Sequence, residues 1–265
     1  MALQAPDGFD VARLRGAVQA TYENVARDPF GDFHFHRGPA YAAEYLGYDA
    51  SELAALPREA TDRFAGVGNP LAIGPLRHGE VVLDHACGAG TDLLLAARRV
   101  GPSGRAVGVD LTSGMRDVAE RAAREAGLGE RVEIRAGVYE ELPVADASVD
   151  VVISNGVVNL APDKRRVLSE VMRVLRPGGR LYLSDVVVAR ELKLESRREP
   201  ELWAACIAGA LTESELYELT WKLGFTDTAV LARFRCFEGT RAETRVSRDL
   251  DILGVNFIAH KPRRG

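Results

Sequence analysis

The stretch "VVLDHACGAGTDLLLAARRV" (81–100) constrains the fold more than any other part of the chain. Its first residues form an apolar run of strand length. Gly88 and Gly90 interrupt it, and the rest carries apolar residues at helical spacing. A buried strand that passes through a glycine turn into a helix is half of a βαβ unit, and its next strand must lie parallel to it. The chain repeats this alternation. "RAVGVDL" reads as a strand and "GMRDVAERAAREAG" as a helix ending at Gly127. "VEIRAG" and "VDVVISNG" read as strands, "DKRRVLSEVMRVLRPGG" as an amphipathic helix stopped by Pro177 and Gly178, and "RLYLSDVV" as a strand. Strands alternating with helices predict a parallel sheet covered on both faces.

The flanking segments differ in texture. Residues 10–27 place Val11, Leu14, Val18 and Tyr22 on one side of a helix. "DPFGDFHFHRGP" breaks that pattern, and "AYAAEYLGY" and "SELAALPREATDRF" read as short helices, the second capped by Ser51. "AGVGNPLAIGPL" reads as a loop. Toward the end, "LTESELYELTWKLGF" is a helix with Thr212 as N-cap and Glu215 completing a capping box. Two β-like runs follow, "TAVLARF" and "VNFIAHKP", while 191–211 has no strand character.

Length and charge narrow the function classes. A chain of 265 residues holds one large α/β domain, or a domain with a lid. The formal net charge of −4 favours neither nucleic acid nor an anionic membrane. No apolar stretch is long enough to span a bilayer, and "MALQAPDGFD" lacks the basic and apolar parts of a signal peptide. Cys87, Cys206 and Cys236 form neither a disulfide framework nor a zinc pattern. The expectation is a cytoplasmic protein with free thiols and no metal, a monomer or homodimer that binds a small molecule.

The glycine turn points to the kind of ligand. Open α/β sheets bind ligands above the carboxyl end of the first strand, where glycine permits close backbone approach. A dinucleotide site needs a third glycine to pack its helix beside the pyrophosphate, and Leu93 stands there instead. Asp84, at the end of the first strand, suits a cation rather than a diphosphate. Asp110, at the end of the second, is placed to accept hydrogen bonds from a ribose diol. Ribose without pyrophosphate, beside a positive charge, describes S-adenosylmethionine. The plainer alternative is a βαβ turn with both aspartates as caps.

These residues carry a resemblance. The glycine block resembles motif I of the class I S-adenosylmethionine-dependent methyltransferases, and "VGVDLTSGM" resembles the acidic ribose motif that follows it. "RAGVYEELPVADASVDVVISNGVVNL" and "VLSEVMRVLRPGGRLYLSDV" resemble that family's adenine loop and its later strand and helix motifs. The resemblance covers about 75–190 and extends more loosely to "VNFIAHKP", which is similar to the last strand of a seven-stranded sheet. It implies an α/β, Rossmann-like, doubly wound, seven-stranded and mostly parallel sheet over 71–265. An N-terminal helical lid over 1–70 and an insertion near 191–211 would cover the site. For S-adenosylmethionine it implies Asp84, Ala86, Gly88 and Gly90 on the methionine and backbone side, and Asp110 with Leu111 at the ribose. Met115, Gly137 and Val138 would border the adenine, and Asn155 would lie beside the sulfonium.

A closer resemblance is to the arsenite methyltransferases and their unassigned bacterial relatives, carried by "FAGVGNP", "ISNGVVNLAPDKRRVL" and "LWAACIAGAL". A trigonal arsenic site needs three soft thiolates. Val67, Gly156 and Val158 stand at three of that family's cysteine places, and Cys206 alone matches. The frame of that family without its arsenic site implies an organic acceptor bounded by Val67, Gly156, Val158, Trp203 and Cys206. For a general base the sequence offers His34 and His36 in "FHFHRG", which share one face if extended, with Tyr22 also within reach of the acceptor. The plainer alternatives are a lid turn with two capping histidines, and packing roles for Tyr22, Trp203 and Cys206. A protein that binds the same donor but catalyses a rearrangement or cyclisation would share the whole donor site.

Overall fold

The computed structural model describes residues 3–240 and 250–263. Four helices come first: α1 (Val11–Arg27), α2 (Gly38–Leu46), α3 (Ala50–Ala54) and α4 (Arg58–Thr61). The chain then alternates β1 (Val81–Asp84), α5 (Thr91–Arg99), β2 (Arg105–Asp110), α6 (Ser113–Glu125), β3 (Val132–Ala136), β4 (Val149–Asn155), α7 (Lys164–Val174) and β5 (Leu175–Val187). Short helices α8 (Leu194–Arg197) and α9 (Pro200–Ala204) precede α10 (Glu213–Lys222), β6 (Thr226–Phe234) and β7 (Leu253–His260). The strands form one sheet in the order β3-β2-β1-β4-β5-β7-β6. β1 to β5 are parallel, and β7 runs antiparallel between β5 and β6.

The central strands are apolar on both faces, and the two faces feed separate cores. Val82, Val151 and Ile153 pack with Leu93, Leu94 and Ala97 of α5. Leu83, Val109 and Val152 pack with Val167, Leu168 and Val171 of α7. Each fully buried valine, leucine or isoleucine among them stabilises the fold by about 1.5–3 kcal/mol. The chain winds from β1 outward to β3 and then returns to β4 on the other side of β1. A crevice opens between the carboxyl ends of β1 and β4, at the point where the winding reverses.

Three local expectations need correction. Asp49, not Ser51, caps α3: its Oδ1 accepts from the N–H groups of Ser51 (2.7 Å) and Glu52 (3.1 Å). The helix expected to run to Pro177 ends at Val174, and Leu175 already pairs with Val149 as the start of β5. A residue followed by proline is steered away from helical geometry, so Arg176 cannot extend α7. Within 191–211, Trp203 packs behind α1 instead of beside an acceptor, while Cys206 and Ala210 pack with Val67, Leu160 and Val186. Trp203 is fully buried against Leu14 and Phe9, with its Nε1–H donating to the Arg197 carbonyl at 2.8 Å. The capping box of α10, Thr212 with Glu215, forms as expected.

Candidate functional site

A cavity of about 1080 Å³, counted to its open mouth, sits in the crevice above β1 and β4. Nine of the ten residues expected at the donor line it: Asp84, Ala86, Gly88, Asp110, Leu111, Met115, Gly137, Val138 and Asn155. Gly90 does not, but it shapes the turn. Its φ is +93°, and a Cβ there would meet that of Ala119 at 3.2 Å, so the turn can seat against α6 only with glycine.

Asp110 organises the turn from the end of β2. Its Oδ2 accepts from Gly88 N–H and its Oδ1 from Thr112 N–H, both at 2.8 Å. Each carboxylate oxygen keeps acceptor capacity toward the cavity. Asn155 ties the end of β4 to the loop before β1. Its Oδ1 accepts from Val67 N–H (2.8 Å) and Gly68 N–H (3.3 Å), and its Nδ2 donates to Asp92 (3.0 Å) and the Gly68 carbonyl (3.0 Å). Gly66 is where this loop passes closest. A side chain there would collide with the Asn155 amide and the Phe64 ring.

Asp92 and Tyr48 are candidate site residues that the sequence expectations did not include. Asp92 lines the cavity from the first turn of α5, and the Tyr48 hydroxyl donates to it at 2.7 Å. Asp84, Asp92 and Asp110 are all buried. Burial, Asp92 and Asp110, in that order, push the Asp84 carboxyl well above the ordinary range. Burial likewise raises Asp92 and Asp110, against the hydrogen bonds they accept. Two cations share this wall. Arg15 is tied to Glu140 at 3.2 Å. Arg63 donates Nε–H to the Ala26 carbonyl (2.8 Å) and Nη1–H to the Glu59 carbonyl (3.0 Å), which leaves Nη2 unpartnered among the described residues. Three buried carboxylates with so little positive charge make a site for a cation.

The donor expected from the sequence fits this donor set. Asp110 offers acceptors for a ribose diol, Met115 and Val138 an apolar surface for a base, and Asp84 with Asp92 a negative wall for ammonium and sulfonium. Cys87 lines the cavity as a buried thiol whose ionisation burial and Asp110 oppose.

The expected acceptor residues divide. Gly156 lines the cavity; Val67, Val158, Trp203 and Cys206 do not. Val158 and Trp203 are core residues, since the short turn 158–160 and the helix pair behind α1 bury them. Val67 and Cys206 lie one layer out, in a buried cluster with Leu160, which does line the cavity. Cys236 belongs to the same cluster, so the fold brings beside Cys206 a second thiol, one that matches none of the arsenite methyltransferases' cysteine places. Burial pushes Cys236 up to about 12 and Cys206 higher still.

Of the three catalytic candidates, Tyr22 lines the cavity, and His34 and His36 do not. The segment around them bends instead of running extended. His36 stacks against Tyr41 and Tyr45, and its Nε2 lies 2.7 Å from the Glu238 carbonyl. His34 meets Phe35 edge-on. The Tyr22 hydroxyl has no hydrogen-bond partner among the described residues, and burial holds its proton far above the usual phenol range. Leu14 and Val18 join it from α1. No group of three or more His, Cys, Asp or Glu side chains among the described residues is arranged to hold a metal ion. None of the described helices is long and apolar enough to cross a membrane.

A methyltransferase-domain family model matches residues 76–224. An arsenite methyltransferase of Halobacterium salinarum is 41% identical over 85% of this chain and 57% of its own length. One from Aquipseudomonas alcaligenes is 40% identical over 64% of this chain and 50% of its own length. The chain thus spans about half the length of these curated relatives. The crystal structure of an arsenic(III) S-adenosylmethionine methyltransferase from Chlamydomonas reinhardtii superposes with a TM-score of 0.69 at 36% identity, covering 80% of this chain and 72% of that one.

Proposed function

The chain belongs to the methyltransferase-domain family, and from that premise we propose that it is an S-adenosylmethionine-dependent methyltransferase acting on a small organic molecule. The observation that carries this reading is the set of buried carboxylates, Asp84, Asp92 and Asp110, around one cavity at the carboxyl ends of β1 and β2. Bound there, S-adenosylmethionine supplies a sulfonium methyl group, transferred without its bonding electron pair to a nucleophilic atom of the acceptor. Asp110 holds the ribose hydroxyls. Asp84 and Asp92 face the ammonium, and the unpartnered Nη2 of Arg63 meets the carboxylate of the same amino-acid head. Met115, Gly137 and Val138 border the adenine. Leu14, Val18 and Tyr22 make α1 the lid that keeps water from the transfer path; holding two reactants in line in a dry site is most of what such chemistry needs. Tyr22 is the catalytic candidate retained, as an orienting hydroxyl. His34 and His36 have no part in this reading, because neither lines the cavity.

A second reading has one observation in its favour: Cys206 and Cys236 share a cluster beside the cavity, and the relatives above are arsenite methyltransferases. It is the weaker reading. Val67, Gly156 and Val158 supply no sulfur, neither thiol lines the cavity, and burial keeps both protonated rather than thiolate. The experiment is S-adenosylhomocysteine release with arsenite in one arm and a panel of small organic nucleophiles in the other. Release with an organic acceptor and none with arsenite is the expected outcome. Release with arsenite would sink the organic reading. Conversion of an acceptor without release would point to rearrangement or cyclisation.

A further inference from the structure

Asp84 and Asp92 share the wall assigned above to the donor's positive charge, yet they are held differently. Asp84 has one hydrogen-bonding group in its favour, the N–H of Ala86, and no side-chain donor among the described residues. Asp92 has a side-chain donor for each oxygen. The Tyr48 hydroxyl donates to Oδ1 at 2.7 Å, and Asn155 Nδ2 donates to Oδ2 at 3.0 Å. Asp92 also stands in the first turn of α5, where the helix dipole favours negative charge.

Tyr48 reaches this wall from the N-terminal helices. It follows α2 closely and is buried, with its ring edge-on to Phe64 at 5.1 Å, and Phe64 itself lines the cavity. Its one hydroxyl proton has two acceptors in reach, Asp92 Oδ1 and, at 3.4 Å, the Gly68 carbonyl. The shorter contact, to a carboxylate, takes it. Burial and Asp92 hold the Tyr48 hydroxyl well above the usual phenol range, so it stays a donor.

Asp92 opposes the ionisation of Asp84, and two neighbouring buried acids do not both ionise cheaply. A donor to one of them decides which carries the charge. The other charged groups around Asp92 leave that choice open. Arg99 favours the Asp92 charge from within α5 but is bound to Glu52 at 2.6 Å and to the Leu71 carbonyl. Arg63 places two of its nitrogens on backbone carbonyls. Asp110 is occupied with the N–H groups of Gly88 and Thr112. None of the three donates to Asp92 or Asp84.

We propose that Tyr48 is a positioning residue of the donor site: its hydroxyl fixes Asp92 as the ionised carboxylate of the pair, facing the donor's ammonium, and leaves the proton on Asp84. The proposal rests on the donor-site reading above.

The test is calorimetric titration of S-adenosylmethionine into the full chain from about pH 5 to about pH 9, with Tyr48→Phe and Tyr41→Phe alongside. Tyr41→Phe is the control for a structural role. It removes a buried hydroxyl of α2 that binds the loop before β1, through the Gly66 carbonyl at 3.2 Å, and touches no carboxylate. Losing the Tyr48 donor raises the pH at which Asp92 ionises, and a cationic ligand needs the ionised form. In Tyr48→Phe the pH profile of affinity should therefore move up by about one unit. The loss should approach about tenfold at the acid end and shrink to within about twofold at the alkaline end, where Asp92 ionises unaided. Tyr41→Phe should leave the profile in place. Carboxyl-carbon resonances of aspartate-labelled protein give a second arm that needs no ligand and no change at Tyr48. Assigned with Asp84→Asn and Asp92→Asn, they should show Asp92 titrating at lower pH than Asp84 in the unaltered chain. A loss equal at every pH, an unmoved profile, or Asp84 titrating before Asp92 would overturn the proposal. Failure of S-adenosylmethionine to bind at any pH would overturn the donor-site reading instead, and the order of the two carboxyls would still decide whether the charge is fixed on Asp92.

Discussion

At Asp84, burial and two neighbouring carboxylates act in one direction, and in the ligand-free protein its carboxyl keeps a proton well above the ordinary range. A cationic donor favours the ionised form, so binding must expel that proton. Affinity should therefore rise with pH from the ordinary carboxylate range upward, levelling once Asp84 is ionised in the free protein too. Titrating S-adenosylmethionine in two buffers of different ionisation enthalpy should give different apparent enthalpies, and Asp84→Asn should abolish the difference. Equal enthalpies for the unaltered chain would refute this account of Asp84. Asp84, Gly88 and Asp110 were legible in the sequence because their roles follow from strand ends and one glycine turn. Arg63 and Tyr48 were not, since they are placed by contacts across the fold: Tyr48 with Asp92, 44 positions apart, and Arg63 with the Ala26 carbonyl, 37 apart. Asp92 did leave a signal, a carboxylate in the first turn after the glycines. That signal is ambiguous, because acids in that position also serve the helix dipole.

Among the elements, α1 is tied to the sheet domain by polar contacts that a helical pattern does not announce. Glu23 accepts from the Ser113 hydroxyl (2.9 Å) and from Gly114 N–H (3.2 Å), so it caps α6 in place of the Thr112 side chain. Removing it should cost about 1 kcal/mol of stability, as loss of a cap does. It should also loosen α1 over the cavity and weaken S-adenosylhomocysteine several-fold. Thr212→Ala removes the capping box of α10, far along the chain, and should cost a similar ~1 kcal/mol with no change in affinity. Urea unfolding and ligand titration on both variants check the pair. Equal affinity in Glu23→Ala would deny α1 its role as a lid. The strands were readable because apolar runs bounded by glycine or charge have few other outcomes in a βαβ chain. What misled was local competition: Asp49 two residues ahead of Ser51 for a cap, and Pro177 ending α7 before it reached the proline.

Over the whole molecule, the reversal of strand order beside β1 decides where a ligand can sit, and the glycine turn and the two aspartates lie at that point. The fold class was readable from alternation alone. A lid from the first 70 residues was expected from resemblance, but which of its side chains line the cavity, Leu14, Val18, Tyr22 and Arg63 among them, depends on packing that no local pattern announces. The most direct measurement is titration of S-adenosylhomocysteine into the folded chain, with Asp110→Ala in parallel. The account predicts one saturable site in the unaltered protein, and an affinity lower by about ten- to a hundredfold in the variant, the worth of hydrogen bonds to a charged acceptor. No binding by folded protein, or equal binding by both, would contradict it.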